Sequence, residues 1–145
     1  MKIYTIGYSQ KSAAQFFYEL KQIAGLSKVI DVRLNNSSQL AGFTKKGSLD
    51  FFLKEILAVS YYHLPILSPT KKIFSDYKRK IISWTSYTEQ FLYLMEERNI
   101  ETRLNPKMLD NSCLLCSEHS PEHCHRRLIV EYLSHRWENL EVLHI

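Results

Sequence analysis

The sequence predicts an α/β protein: a three-layer, Rossmann-like open sheet, mostly parallel, of about five strands with helices on both faces. Three observations carry this. Short β-rich runs alternate with stretches of three-four apolar spacing along all 145 residues. With four glycines and four prolines in the whole chain, there is little room for long linkers. Polar residues fit to cap a helix stand at several of the strand-to-helix transitions. A chain of this length buries roughly two thirds of its unfolded surface as one unit, so residues 1–145 read as a single domain.

In chain order, residues 3–6 form a first strand ending at Gly7. Ser12 caps a helix that aligns Ala13, Phe16, Phe17, Leu20 and Ile23, and Gly25 is placed to stop it. Residues 28–33 are a second strand, and Ser48 starts a helix with Leu49, Phe52, Leu53, Ile56 and Leu57 on one face. Residues 61–66 are a third strand, bounded by Pro65 and Pro69. The stretch 71–82 is basic and shows no clear period. Ser86 and Glu89 have the spacing of a capping box ahead of Phe91, Leu92, Leu94 and Met95. A turn-rich loop over 105–112 precedes a fourth strand at 113–117. Ser120-Pro121 then opens a last helix with Leu128, Ile129, Tyr132, Leu133 and Trp137 on its buried stripe, and 141–145 adds a fifth strand.

Composition narrows the function class. Nineteen Lys and Arg against fifteen Asp and Glu give a net charge of +4, compatible with an anionic partner, a nucleotide or nucleic acid, without demanding one. No apolar run reaches the ~20 residues of a membrane span. The first residues carry one lysine and turn polar at once, so no signal peptide is expected, and three cysteines that cannot all pair fit a reducing cytoplasm. No glycine-rich phosphate loop is present, which argues against P-loop ATP hydrolysis.

In open α/β sheets ligands bind outside the carboxyl ends of the strands. There the first strand delivers Tyr8 and Ser9, the second Asp31, Arg33 and the polar run 34–39 with Asn35, and the fourth Cys116, Ser117 and Glu118. The last helix brings His123, Cys124, His125 and Arg126. Asp31 reads either as a buried partner of Arg33 or as a base. Arg33 and Arg126, with a helix N-terminus, suit an anion. Cys116 or Cys124 reads as a nucleophile, Cys116 the preferred one, with Glu118 and His125 for proton transfer; as bland alternatives, both Cys116 and Cys124 read as buried structural thiols.

The segment 113–127 also raises a metal centre. Two points oppose it: Cys113 and Cys116 face opposite sides of a strand, and Cys124 and His125, as neighbours on a helix, diverge by about 100°. No cofactor is therefore predicted, and zinc on Cys116, Cys124 and His125 stands as the alternative.

Three motifs bring a family to mind: Thr5-Ile6-Gly7-Tyr8-Ser9, Asp31-Val32-Arg33, and Cys116-x-Glu118-x-x-Pro121-x-x-Cys124-His125-Arg126. Together they resemble the domain-of-unknown-function family 488. The resemblance implies an α/β fold with a shared polar site, and supplies no reaction. Tyr8 stands where that family often has histidine, and residues 35–39 replace a segment that often bears proline and arginine.

Three functions remain open on the sequence. The first is a hydrolase or transferase acting on a phosphate-bearing substrate such as a nucleotide or nucleic acid. The second is a non-catalytic nucleic-acid-binding accessory using residues 71–80 with Tyr77 and Trp84. The third is a metal or thiol module. Oligomeric state is not legible.

Overall fold

A computed structural model describes residues 1–37 and 41–145. Strands β1 (Lys2–Gly7), β2 (Lys28–Asp31), β3 (Ser60–His63), β4 (Ser112–Cys116) and β5 (Glu141–His144) form one sheet in the order β3-β2-β4-β1-β5. Every pairing is parallel. The last-arriving central strand, β4, is thus inserted between β1 and β2, with Gly7 opposite Cys116 and Asp31 opposite Leu115.

Helices cover both faces, as the alternation of strands and helices predicts. On one side α1 (Ala13–Lys21) and α2 (Lys46–Phe52) set Phe16, Leu20 and Leu49 against Ile6, Val29, Cys113 and Leu115. On the other, α4 (Trp84–Glu97) and α7 (His125–Ser134) set Phe91, Met95 and Ile129 against Ile3, Ile30, Leu114 and Cys116. Alternate residues of β4 enter alternate cores, and all five are buried. That is why Ser112–Cys116 reads as a nearly continuous apolar run. Helix α3 (Lys71–Lys78) occupies the basic stretch, and α5 (Ile100–Arg103) and α6 (Pro106–Leu109) are single turns before β4.

Local chemistry explains where the elements begin. Ser12 closes a capping box: its hydroxyl accepts from the Gln15 amide, while Gln15 Oε1 accepts from the Ser12 amide. Gly25 takes a left-handed φ of 75° in the turn beyond that helix. Ahead of α4 the cap is Ser83, not Ser86: Ser83 Oγ accepts from the Ser86 amide at 3.1 Å, so Ser86 lies inside the first turn as the donor. Helix α2 starts at Lys46, two residues before Ser48, and passes into a π-turn over Leu53–Leu57. β3 ends at His63 because Pro65 lacks an amide hydrogen and opens a 3₁₀ turn instead.

The largest departure concerns the last helix. It begins at His125 rather than at Pro121. Residues 121–124 make a turn, with the Cys124 amide donating to Pro121 O at 3.2 Å, and Cys124 itself is extended at φ −135°, ψ 138°. The carbonyls of Glu118 and His119 that precede this turn are held by the Arg126 guanidinium. Among the described residues, no helix is long and apolar enough to cross a membrane.

Candidate active site

A cleft of about 780 Å³ opens at the carboxyl ends of β1, β2 and β4. It brings together Tyr8, Ser9, Arg33, Asn35, Cys116, Glu118 and His125 from distant parts of the sequence. Asp31 and Arg126 do not line it; both are fully buried. Of the polar run expected after β2, residues 38 and 39 lie outside the described residues.

Asp31 and Arg33 form one rigid unit. Arg33 Nε donates to Asp31 Oδ1 at 2.9 Å and Nη2 to Oδ2 at 2.6 Å, a fork-to-fork pair, while the Arg33 amide also donates to Oδ1 at 3.1 Å. Tyr61 adds its hydroxyl to Oδ2 at 2.7 Å. The far side of the guanidinium donates to Thr44, Nη1 to the hydroxyl and Nη2 to the carbonyl. These bonds use four of its five N–H groups. The Arg33 fork, expected on the sequence to meet a ligand anion, is thus turned onto Asp31. Burial works against the Arg33 charge, and Asp31 outweighs it. Burial, followed by the Asp31 charge, pushes the Tyr61 hydroxyl well up, so it stays a donor.

Arg126 is likewise structural in its contacts. It binds the carbonyls of Glu118 and His119, and its Nε has no partner among the described residues. This guanidinium crosses directly over Gly7, where an added Cβ would lie 2.8 Å from Arg126 Nη1 and 1.7 Å from Glu118 O. The glycine is therefore required by close approach of another backbone segment.

The floor of the cleft is a cluster of sulfur and imidazole. Cys116, Cys124 and His125 are buried, and their ligand atoms all lie within 4.8 Å of one another. His125 Nε2 lies 2.7 Å from the carbonyl of Val32, which can only accept, so that nitrogen carries the proton in the neutral ring. Nδ1 is left with its lone pair, 3.7 Å from Cys116 Sγ. The sulfur is nearly equidistant from the two ring nitrogens, lying 3.8 Å from Nε2. The Cys116 thiol is held below the usual thiol range. The main cause is donation from Cys124; burial opposes it, and the amides of Ser117 and Glu118 and the charge of Arg126 assist. Cys124 is pushed well up, first by burial and then by its bond to Cys116. Cys113 sits in the opposite core and is pushed up by burial.

This arrangement removes one objection to a metal site and keeps the other. Cys113 does face away from Cys116. Cys124 and His125, however, are not successive helical residues: the extended Cys124 stands at the N-cap, and the bend there turns both side chains toward Cys116. The described residues thus contain a buried Cys-Cys-His group with the composition and proximity to hold a metal ion.

The remaining wall carries Tyr77 and Trp84, which the sequence offers as a surface for nucleic acid, together with residues it does not single out. Phe74, Tyr77, Trp84 and Tyr87 come from α3 and α4, with Trp84 stacked on Tyr87 at 5.1 Å and 17°. Tyr77 lies 5.0 Å from Tyr87, and the exposed His123 ring 5.2 Å from Trp84. Opposite them, the Arg33 guanidinium lies 5.3 Å from the centre of the Tyr8 ring. Two lysines also reach the cleft, each with a carboxylate partner: Lys11 pairs with Glu19, and Lys78 with Glu118 at 2.6 Å. Alternating aromatics and cations in 74–84 were the available signal for this wall. Nothing in the sequence marked Thr44 or Lys11.

No curated protein and no solved structure gives a significant match to the chain. A family model does match residues 13–133, a span that contains Asp31-Val32-Arg33 and the Cys116 to Arg126 motif while leaving Thr5 to Ser9 just outside it. With most of its length covered and the parallel α/β sheet in place, the chain belongs to the family described as Domain of unknown function DUF488.

Proposed function

We propose that the chain is a cysteine-dependent hydrolase or transferase acting on a phosphate-bearing substrate of the nucleotide class. The observation that carries this is the Cys116–His125 pair on the cleft floor: a sulfur 3.7 Å from an imidazole nitrogen whose partner nitrogen is fixed by the Val32 carbonyl. Nucleophile, base and an orienting third group are the parts covalent catalysis needs. Cys116 passes its proton to His125 Nδ1, and the thiolate attacks the electrophilic phosphorus. The leaving oxygen departs with that proton. Water or an acceptor hydroxyl then cleaves the thiophosphate, returning the sulfur to Cys116 as its own proton passes through His125. The amides of Ser117 and Glu118 and the Lys78 ammonium provide donors for phosphate oxygens, and Trp84 and Tyr77 offer faces for a base. Asp31 and Arg126 position the site from below.

The test is release of phosphate or nucleoside from a panel of nucleoside mono-, di- and cyclic phosphates. Wild-type protein turns over at least one of them, and Cys116→Ser loses activity on the order of a hundredfold or more. Absence of turnover, together with Cys116 reacting with iodoacetamide no faster than a free thiol, would falsify the reading.

A second reading is favoured by one observation, the proximity of Cys116, Cys124 and His125. Two thiolates and an imidazole suit zinc, and the Val32 carbonyl would fix the ligating tautomer from behind. Bound there, zinc would supply Lewis-acid chemistry and lower the pKa of a bound water toward ~7. Elemental analysis of untagged protein purified without chelator separates the two: about one zinc per chain, lost in Cys124→Ala, establishes the metal centre, and a metal-free folded protein that takes up no added zinc excludes it.

A further inference from the structure

We propose that the cleft continues into a groove for single-stranded nucleic acid, which runs over the corner between α3 and α4 and delivers one nucleotide to Cys116. This rests on the nucleotide reading above and names the form of the substrate. A second depression of about 580 Å³ is lined by Tyr77, Lys78, Lys80, Ile81, Ser83 and Trp84, with Ile82 beneath. It shares Tyr77, Lys78 and Trp84 with the main cleft, so the same three side chains form a common wall between the two.

The chemistry along this path is that of a strand track. Residues 71–80 hold five cations and one carboxylate. Lys72 is paired with Asp76 and Lys78 with Glu118, whereas Lys71, Arg79 and Lys80 make no ion pair among the described residues and are exposed. Ile81 stands 59% exposed beside them, an apolar side chain with no core to join. Tyr77 and Trp84, 5.5 Å apart, lie between this basic rim and the cleft floor. Phosphates along a backbone match Lys78 and Lys80 in the depression and the further exposed cations of 71–80, and unstacked bases match the aromatic faces, which every base can use. A duplex presents phosphates but keeps its bases stacked inside, and so offers no free base face to Trp84. A free mononucleotide fills the main cleft and leaves the second depression and its charges unused.

The experiment measures anisotropy of fluorescein-labelled 12-nucleotide oligo-dT and oligo-U, with a 12-base-pair duplex and unlabelled mononucleotide as competitors. The single strands bind at least tenfold more tightly than the mononucleotide and the duplex, and the two single strands together report whether DNA or RNA is preferred. Affinity falls with salt, with a slope of roughly 0.7 per phosphate contact. Arg79→Glu/Lys80→Glu, at exposed positions outside the core, loses tenfold or more and flattens that slope. Trp84→Ala loses a similar factor; Trp84→Phe, which keeps a stacking face, recovers most of it and guards against misfolding. If the mononucleotide binds and the oligonucleotides gain nothing, the track is wrong and the nucleotide reading stands. If nothing binds, both fall. Oligonucleotide binding indifferent to the Arg79/Lys80 charges overturns the proposed path.

Discussion

Gly7 and Glu118 touch through their backbones, and a Cβ at Gly7 would stand 1.7 Å from the Glu118 carbonyl oxygen. That contact fixes the loop after β4 against the end of β1, and the Ser9 amide seals it by donating to Ser117 O at 3.0 Å. The cleft inherits its shape from this closure.

Gly7→Ala therefore costs stability and cannot be absorbed by a side-chain rotation, since the obstacle is backbone. A loss of ~1–3 kcal/mol or more is expected, read as a fall in melting temperature, with Cys116 reactivity disturbed in whatever protein remains folded. An alanine variant as stable as wild type would show that the loop does not lie over Gly7.

Asp31→Asn leaves the Arg33 guanidinium buried without its counter-charge. Breaking a buried pair in this way costs on the order of 3–5 kcal/mol. The same substitution with Arg33→Met restores part of the loss, because the cost lies in the orphaned charge. Denaturant unfolding of the single and double variants measures both numbers.

Cys116 reacts with iodoacetamide at lower pH than an ordinary thiol, since the reactive species is the thiolate and the folded site favours it. Cys113 and Cys124, both pushed up, stay unreacted in the native protein. Removing the Cys124 donor in Cys124→Ala moves the Cys116 profile to higher pH. Mass spectrometry of alkylated peptides across a pH series follows each thiol separately, and equal labelling of all three cysteines would contradict the picture.

Glu118→Gln separates chemistry from folding. The Lys78–Glu118 pair is close to half exposed on each side, and such pairs contribute about 0–1 kcal/mol. Thermal stability should barely change, whereas turnover or ligand affinity should, because the variant frees Lys78 at the cleft wall. A large stability loss with unaltered binding would make Glu118 a structural residue.

What was legible in the sequence follows from where the determinants lie. Strand β4 announced itself because both its faces are covered, so apolar residues run on without a break. Ser12 and Gln15 encode a cap locally. The start of α7 did not read correctly, because Pro121 is a sound first helical residue on local grounds and the competing force is a tertiary one, Arg126 binding the two carbonyls just upstream. The same displacement left the Cys116–Cys124–His125 group only an alternative on the sequence, because its proximity depends on an extended Cys124. The rim itself was foreseeable from topology, with Tyr8, Arg33 and Cys116 at strand ends and His125 at the start of the last helix. The aromatic wall was legible only as Tyr77 and Trp84 beside a basic run, since its place at the cleft needs α3 and α4 folded against each other, and Trp84 and Tyr87 carry no local sign of which way they face.

The strand order has a consequence for synthesis. β4 fills the slot between β1 and β2, so a nascent chain that has emerged as far as residue 111 carries three β edges with no complement: both edges of β1 and the β4-facing edge of β2. Only β2 and β3 can pair by then, and the sulfur cluster does not exist until Cys116, Cys124 and His125 have followed. Unpaired edges of this kind recruit other chains. A chain halted before β4 is thus exposed to aggregation, and the Cys116–Cys124–His125 cluster forms only after β4 and the start of α7 have emerged.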